Sequence, residues 1–438
     1  MKKTFKIYTL GCKVNQYDSN SLSRKLLQAG LDAVKDKADL AIINTCAVTH
    51  SAITKDKKMV EQARKENPGA KIAVVGCMPV NYKEEVEALG VDYIYGTKEA
   101  DKLIAQIAGE FDFDTFKSRS VSYPGCEFDE KLFKTGKSRY FMKIQDGCQQ
   151  FCSYCIIPYN RGELSSRPME EVVAEAKAVV GADFKEIILC GIHLGLYGIN
   201  MPLRSEDEKN QIPPTFFIKG GERNNLVGLL RELIVINGLE KIRLSSIEVI
   251  DVSDELIELI KKERKMCWHL HIPLQAGCDK ILKLMNRPYN TEFFKDKIEK
   301  IRKAIPEIAI TTDVIVGFPN ETAADFKTTF EFIKKINFSR LHVFPFSAHE
   351  KTPAYKMKNQ LPHQLKVERA KELSKYSRRL ETDFKNKFIG QELEVVVDGR
   401  SKDNKYRGKT EYYFDIEFES EKKLKAGELV EVKKWKLI

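Results

Sequence analysis

Six cysteines carry the chemistry this sequence can do. Cys148, Cys152 and Cys155 stand in the run Cys148-Gln-Gln-Phe-Cys152-Ser-Tyr-Cys155, spaced C-x3-C-x2-C. Three thiolates this close in the chain can wrap one face of a small inorganic cluster. An iron–sulfur cubane ordinarily takes four protein ligands. Three leave one iron free for an outside ligand, the open position that separates catalytic from structural metal sites. A zinc site is the competing reading of the same spacing. Cys12, Cys46 and Cys77 are far apart in sequence, yet each falls one or two residues beyond a predicted strand. Parallel strands direct their carboxyl ends to one edge of a sheet, where open α/β folds bind ligands. These three thiols are therefore expected to converge as a second metal-ligating set. The alternative is three buried thiols acting as small hydrophobes. Cys126, Cys190, Cys267 and Cys278 share no spacing and are read as unliganded.

The elements that must position these thiols follow from hydrophobic period. Residues 1–115 alternate short apolar runs at 4–10, 39–44 and 71–76 with helical spacing over 19–30 and 53–66. That alternation predicts a parallel, Rossmann- or flavodoxin-like sheet. Residues 116–136, with Pro124-Gly125 and Gly136, read as a linker. Residues 137–365 repeat the rhythm with strands at 138–144, 186–190, 241–245, 269–273, 308–316 and 340–346. Six strands with intervening helices predict an incomplete α/β (TIM-like) barrel. The C-x3-C-x2-C run follows the first of them, at the carboxyl end where active sites of such barrels form. Residues 200–225 interrupt the pattern as a long exposed loop. Residues 366–388 read as a charged helical connector. Residues 389–438 shift to short strands at 392–398, 411–419 and 428–437, a small all-β barrel of the OB type.

Composition bounds the partners. At roughly 100–200 residues per domain, 438 residues suggest about three domains. With 42% hydrophobic and 31% charged residues the chain has a sizeable core, which excludes wholesale disorder and collagen-like repeats. The balance of 73 basic against 63 acidic side chains gives +10 and favours a polyanionic partner. No run approaches the roughly 20 apolar residues of a membrane span. Met1-Lys2-Lys3 is followed by Lys6, Gly11 and Lys13 rather than an apolar segment. A cytoplasmic location with reduced thiols is therefore expected.

The words around the cysteines carry a resemblance. Thr9-Leu-Gly-Cys-Lys-Val-Asn-Gln-Tyr-Asp-Ser19, Asn44-Thr-Cys46, Gly76-Cys77 and the Cys148 run with Tyr154 together resemble the methylthiotransferases of the radical S-adenosylmethionine superfamily. The likeness extends to Tyr159-Asn-Arg161-Gly162, 191–198, Ser245-Ser-Ile-Glu248, His271-Ile-Pro-Leu-Gln275, Met285-Asn-Arg287-Pro-Tyr289 and 313–319. The last β module resembles the RNA-binding TRAM domain, so the resemblance covers nearly the whole chain. It departs from the family pattern at Val249, at Ala276 and over 347–353. The wording around Cys12 is similar to the branch that acts on N6-threonylcarbamoyladenosine in tRNA. The isopentenyladenosine branch and the branch modifying a ribosomal protein aspartate are the alternatives within the family. A non-catalytic RNA-binding metalloprotein is the alternative outside it.

The resemblance implies two 4Fe-4S clusters, one on Cys148, Cys152 and Cys155 and one on Cys12, Cys46 and Cys77, with S-adenosylmethionine as the further cofactor. The implied reaction replaces C2–H of the adenine with C2–S–CH3. That bond has no useful acidity at neutral pH, so a radical route is physically sensible and the cofactors carry the hard step. One S-adenosylmethionine would methylate a sulfur held at the second cluster, and another would supply the radical. Tyr154, Gly191, His193, Ser246 and Gln275, in or near strand ends, are the expected S-adenosylmethionine contacts. The expected partners are the tRNA anticodon stem-loop and an external electron donor, with the protein a monomer. A threonylcarbamoyl carboxylate asks for a cation, and Arg161, Arg167 and Arg287 are the candidates, or Arg204, Lys209, Lys219 and Arg223 in the long loop. The run from Arg400 to Lys409 holds five cations and one anion. Arg400, Lys405 and Arg407 are expected on phosphates and Tyr406 stacked on a base.

Overall fold

The computed structural model describes residues 3–111, 133, 137–199, 225–401, 403 and 405–438. Apart from Phe133, the expected linker at 116–136 lies outside the described residues, as do positions 200–224 of the expected loop. Cys126, Arg204, Lys209, Lys219 and Arg223 lie outside them too. The chain forms two compact units. The first holds the described residues up to 111 and Phe133, with Asp146–Gln149 and Cys155–Leu164. The second holds 137–145, Gln150–Tyr154 and the described residues from Ser165 onward.

The first unit is built on a parallel sheet of β1 (Thr4–Thr9), β2 (Asp32–Ala33), β3 (Leu40–Thr45), β4 (Lys71–Gly76) and β5 (Tyr93–Tyr95), in the order β2-β1-β3-β4-β5. All six residues of β3 are buried, as a central parallel strand covered on both faces must be. The order is the flavodoxin-like one, and its direction of winding reverses between β1 and β3. The helix Lys13–Gln28 starts earlier than the predicted 19–30, because Val14 and Tyr17 extend the buried face that Leu22 and Leu26 continue. The helix His50–Glu66 is capped by the Thr49 hydroxyl, which accepts from the Ala52 amide, and buries Ile53, Val60 and Ala63.

The second unit begins with six parallel strands. β6 (Tyr140–Lys143), β7 (Glu186–Cys190) and β8 (Lys241–Leu244) form one sheet; β9 (His269–His271), β10 (Ala309–Val316) and β11 (Arg340–Pro345) form another. A parallel bridge between Ser246 and His271 joins the two. The strands thus run side by side in chain order, and among the described residues no pairing joins β11 back to β6. The helix His363–Asn386 leads to an antiparallel sheet of β12 (Leu393–Arg400), β13 (Tyr406–Thr410), β14 (Asp415–Phe418), β15 (Leu429–Val432) and β16 (Trp435–Leu437), ordered β15-β12-β13-β14-β16. The strand expected at 411–419 is corrected here. Residues 411–414 turn the chain between β13 and β14, with Tyr413 at φ +70° and its amide donating to the Thr410 carbonyl at 3.0 Å. Tyr412 and Phe414 are buried, so apolar alternation runs through the turn and conceals it. The run expected at 428–437 likewise divides into β15 and β16.

The β13–β14 turn is fastened to the first residues of β8 and β9. Buried Arg243 donates through Nε to Glu186 at 2.7 Å and through Nη1 and Nη2 to the carbonyls of Glu411 and Thr410 at 2.9 and 3.0 Å. Lys241 pairs with Glu411 of the turn at 3.5 Å and with Glu394 of β12 at 2.5 Å. The Tyr413 ring stacks on His269 with centroids 4.4 Å apart. Among the described residues no helix is long and apolar enough to cross a membrane.

Candidate functional site

In the first unit, β1, β3 and β4 deliver the three dispersed cysteines to one edge. Cys12 lies just beyond β1 and stands at the amino end of the helix Lys13–Gln28; Cys46 directly follows β3; Cys77 directly follows β4. Two of these strands flank the position where the winding reverses, the place at which such sheets bind ligands. Cys12 is exposed, and Cys46 and Cys77 are buried. Asn15 ties two of the turns together, donating to the carbonyls of Leu10 at 2.9 Å and Thr45 at 2.8 Å. Gly11 sits at φ +94°, and a Cβ there would stand 2.8 Å from Cys46 Cβ and 3.1 Å from its sulfur. Glycine is what lets the Cys12 turn close against Cys46.

Burial favours the neutral thiol at Cys46 and at Cys77 until a metal displaces the protons. Burial pushes the Cys46 thiol up to about 11 and the Cys77 thiol up to about 12. Burial also raises Asp56 to about 7, although its carboxylate accepts the Cys46 amide at 2.9 Å. Arg161 lies beside these thiols with its side chain almost entirely buried. Its Nη1 pairs with Asp18 at 2.9 Å and Asp146 at 3.1 Å, and its Nη2 donates to Asn15. Burial alone would pull its pKa down; Asp146, Asp18 and the thiols of Cys77 and Cys12 outweigh that and raise it. The Nε of Arg161 is buried with no hydrogen-bond partner. Three thiols at one edge, a glycine-backed turn and an unspent cationic donor fit an iron–sulfur cluster. Among the described residues, no three His, Cys, Asp or Glu side chains are close enough to hold a single metal ion. A cubane asks for wider spacing, since each thiolate binds its own iron.

The residues of the C-x3-C-x2-C run divide between the units: Cys148 and Cys155 fall in the first, and Cys152 in the second. In the second unit the loop is pinned by Ser153, whose amide donates to the Met285 carbonyl at 3.1 Å and whose hydroxyl donates to the Leu284 carbonyl at 2.7 Å. Arg287 Nη1 donates to the Cys152 sulfur at 3.1 Å, Nη2 pairs with Glu248, and Nε donates to the Tyr289 hydroxyl at 3.1 Å. The Tyr289 hydroxyl lies 2.9 and 3.0 Å from the carbonyl oxygens of Pro273 and Leu274. Arg287 is a deeply buried cation whose charge is sustained chiefly by Glu248 against the cost of burial.

The strand-end residues proposed for S-adenosylmethionine lie in the second unit. Gly191, just past β7, leaves room for Gln145: a Cβ there would meet Gln145 Oε1 at 2.9 Å. That same oxygen accepts the His193 amide at 2.7 Å, and His193 Nε2 lies 2.8 Å from Asp251. His193 is therefore a buried, oriented imidazole. Gln275 adopts φ +67°, with its amide bonded to the Asp313 carbonyl at 2.9 Å and its own carbonyl accepting from Ile315 at 2.8 Å. Tyr154 is half-buried and Ser246 exposed.

Four of the expected substrate contacts are buried or paired within the fold. Arg161 and Arg287 are buried and paired as above, so neither is an open clamp for a carboxylate. Arg167 spends its guanidinium on Glu175 at 2.6 Å and on the Lys143 carbonyl at 3.0 Å. Tyr406 is 2% exposed, because strand alternation turns it into the β core against Phe418. Arg400 and Arg407 are exposed and Lys405 half-buried. Arg400 covers the Tyr406 ring at 4.9 Å, Arg407 pairs with Glu417 at 3.2 Å and Lys405 with Glu419 at 3.5 Å. Gln145, Asp251, Asn15, Asp18 and Asp146 were not legible as site residues. Asn15 and Asp18 stand in the run around Cys12, but their pairing with Arg161, like that of Gln145 and Asp251 with His193, is made only by the fold.

Among known proteins, the Radical SAM superfamily matches residues 142–333, and the Uncharacterized protein family UPF0004 matches residues 4–96. The Threonylcarbamoyladenosine tRNA methylthiotransferase MtaB of Bacillus subtilis (strain 168) is 36% identical over 98% of this chain and 93% of its own. The protein of that name from Chlamydia pneumoniae is 40% identical over 91% of this chain and 87% of its own. Of solved structures, the radical S-adenosylmethionine methyltransferase TsrM from Kitasatospora setae aligns with a TM-score of 0.56 at 13% identity, covering 81% of this chain and 77% of its own. That is a likeness of fold.

Proposed function

The chain belongs to the radical S-adenosylmethionine methylthiotransferase family, and from that membership we propose that it converts N6-threonylcarbamoyladenosine in tRNA into its 2-methylthio derivative. The observation that carries this reading is the second set of thiols. A chain with a C-x3-C-x2-C run already has what one cluster needs. Cys12, Cys46 and Cys77 at the carboxyl edge of one sheet would ligate a second, from which sulfur could be transferred.

When bound, S-adenosylmethionine and the two clusters supply the electron, the radical and the sulfur. The chain's own residues hold and orient. Cys148, Cys152 and Cys155 would ligate the first cluster, with Arg287 steadying Cys152 through its hydrogen bond. Cys12, Cys46 and Cys77 would ligate the second. Gln145 and Asp251 fix His193, so that this imidazole meets S-adenosylmethionine in one orientation. Tyr154, Gly191, Ser246 and Gln275 complete that pocket. The C-terminal β module is read as a TRAM domain, with Arg400, Lys405 and Arg407 on tRNA phosphates. We retain the division into 1–115, 116–136, 137–365, 366–388 and 389–438 as the functional domains. A monomer in the cytoplasm, served by an external electron donor, completes the proposal.

The test is mass analysis of tRNA nucleosides after anaerobic reaction of the reconstituted protein with S-adenosylmethionine, reductant and tRNA carrying threonylcarbamoyladenosine. The 2-methylthio nucleoside is the expected product. Formation of 5′-deoxyadenosine without it would move the substrate to isopentenyladenosine or to a protein aspartate. Neither product, from a protein holding both clusters, would leave a binding module.

A further inference from the structure

We propose that Arg161, with Asp18 and Asp146, sets the charge at the second cluster. Arg161 acts there as a positioning residue that makes the cluster easier to reduce and steadies anionic sulfur on it. The inference rests on the two-cluster reading above. It starts from a cation placed where one is expensive. The Arg161 side chain is 1% exposed, with Asp18 at 19% and Asp146 at 9%. A lone guanidinium buried to this degree would be untenable without compensation. Two carboxylates hold its charge, but they do not use up its donors. Nη1 serves both carboxylates and Nη2 serves Asn15, while Nε–H has no partner. An orphan donor of this kind is uncommon in a folded protein and asks for a reason. The chemistry nearby supplies one, since Asn15 Oδ1, which accepts from Arg161 Nη2, also stands 3.9 Å from the Cys12 sulfur. A cluster on Cys12, Cys46 and Cys77 would be anionic and rich in sulfur acceptors. Hydrogen bonds to its sulfurs and the charge around it are the protein's levers on its reduction potential.

The arrangement makes opposite predictions for its members. Without Arg161, Asp18 and Asp146 face the cluster uncompensated, and reduction becomes harder. Without the Asp146 charge, Arg161 is less neutralised, and reduction becomes easier.

The experiment uses the full chain with Cys148, Cys152 and Cys155 replaced by alanine, so that any remaining iron belongs to the second set. Each variant is reconstituted anaerobically, assayed for iron and sulfide, and titrated by electron paramagnetic resonance against potential. Arg161→Gln is expected to shift the midpoint negative and Asp146→Asn to shift it positive. The double variant should return close to the parent, and Arg161→Lys should recover most of the Arg161→Gln loss. If Arg161→Gln fails to fold, the double variant, Arg161→Lys and Asp146→Asn still carry the test. Midpoints equal in every variant that holds its iron overturn the inference. A parent with Arg161 intact that binds no iron instead overturns the two-cluster reading itself.

Discussion

Buried charge is the most consequential feature at the scale of single residues. Arg287 and Glu248 form a pair in which the arginine side chain is 2% exposed. Breaking such a pair by removing one partner costs about 3–5 kcal/mol, because the other charge stays buried and unpaired. Arg287→Met should therefore lower the melting temperature and release iron from the first set of cysteines, which loses the donor to Cys152. Adding Glu248→Gln should restore much of the stability, since the orphan charge is gone, and little of the iron. Thermal unfolding followed by iron analysis separates the two effects. If the double variant is no more stable than Arg287→Met, the pair is not what the arginine stabilises. A second prediction concerns His193. Asp251→Ala removes the acceptor 2.8 Å from its Nε2. A hydrogen bond to a charged group contributes roughly 1.5–3 kcal/mol, so S-adenosylmethionine affinity should fall by tenfold or more in equilibrium binding. Unchanged affinity would take His193 out of the pocket. The residues that could be read in advance were those whose chemistry is local. The C-x3-C-x2-C run announces itself, and Cys12, Cys46 and Cys77 follow from strand ends. The buried state of Arg161, Arg287 and Tyr406 could not be read, because each depends on partners brought in by the fold.

At the scale of elements, strand ends do the positioning, and their turns are where the sequence is least forgiving. Gly11 carries the chain from β1 into the helix Lys13–Gln28 at φ +94°. An L-residue in the left-handed region costs roughly 1–2 kcal/mol, and the new Cβ would also displace Cys46. Gly11→Ala should therefore fold with modest loss of stability and lose iron at Cys12, Cys46 and Cys77 while retaining it at Cys148, Cys152 and Cys155. Iron counts in backgrounds lacking either set of cysteines test this; equal iron at both sets would show that the turn tolerates a side chain. Elements were legible where the period was clean: β4 and β7 start and stop where expected, because apolar runs end in glycine or a polar residue. Elements failed where burial and turn coincide. Tyr412 and Phe414 read as strand since they are buried, yet the backbone reverses at Tyr413. Periodicity reports burial, and a turn whose aromatic residues are packed into a core gives the same signal as a strand.

The molecule as a whole raises the question of what the C-terminal β module contributes. Its surface offers Arg400, Lys405 and Arg407, while its β13–β14 turn is fastened to β8 and β9 through Arg243, Lys241, His269 and Tyr413. Ala309 and Trp268 also pack against the aromatic core of this module. The cationic surface and the fastened turn predict two separable effects. Removing residues 390–438 would expose apolar surface and leave the buried Arg243–Glu186 pair without the carbonyls that complete it. The truncated chain should be less stable and prone to aggregate, not merely weaker on RNA. The triple variant Arg400→Ala, Lys405→Ala, Arg407→Ala touches none of that interface, and its melting temperature should stay close to the parent's. Its tRNA affinity should fall, and the dependence of log affinity on log salt should flatten. Each single-strand phosphate that is no longer neutralised reduces the slope by about 0.7. Three such phosphates would flatten it by about 2. A slope unchanged in the triple variant, with affinity intact, would place the RNA surface elsewhere on the chain. The β module would then act as a structural support for β8 and β9, to which Arg243 and Tyr413 fasten it.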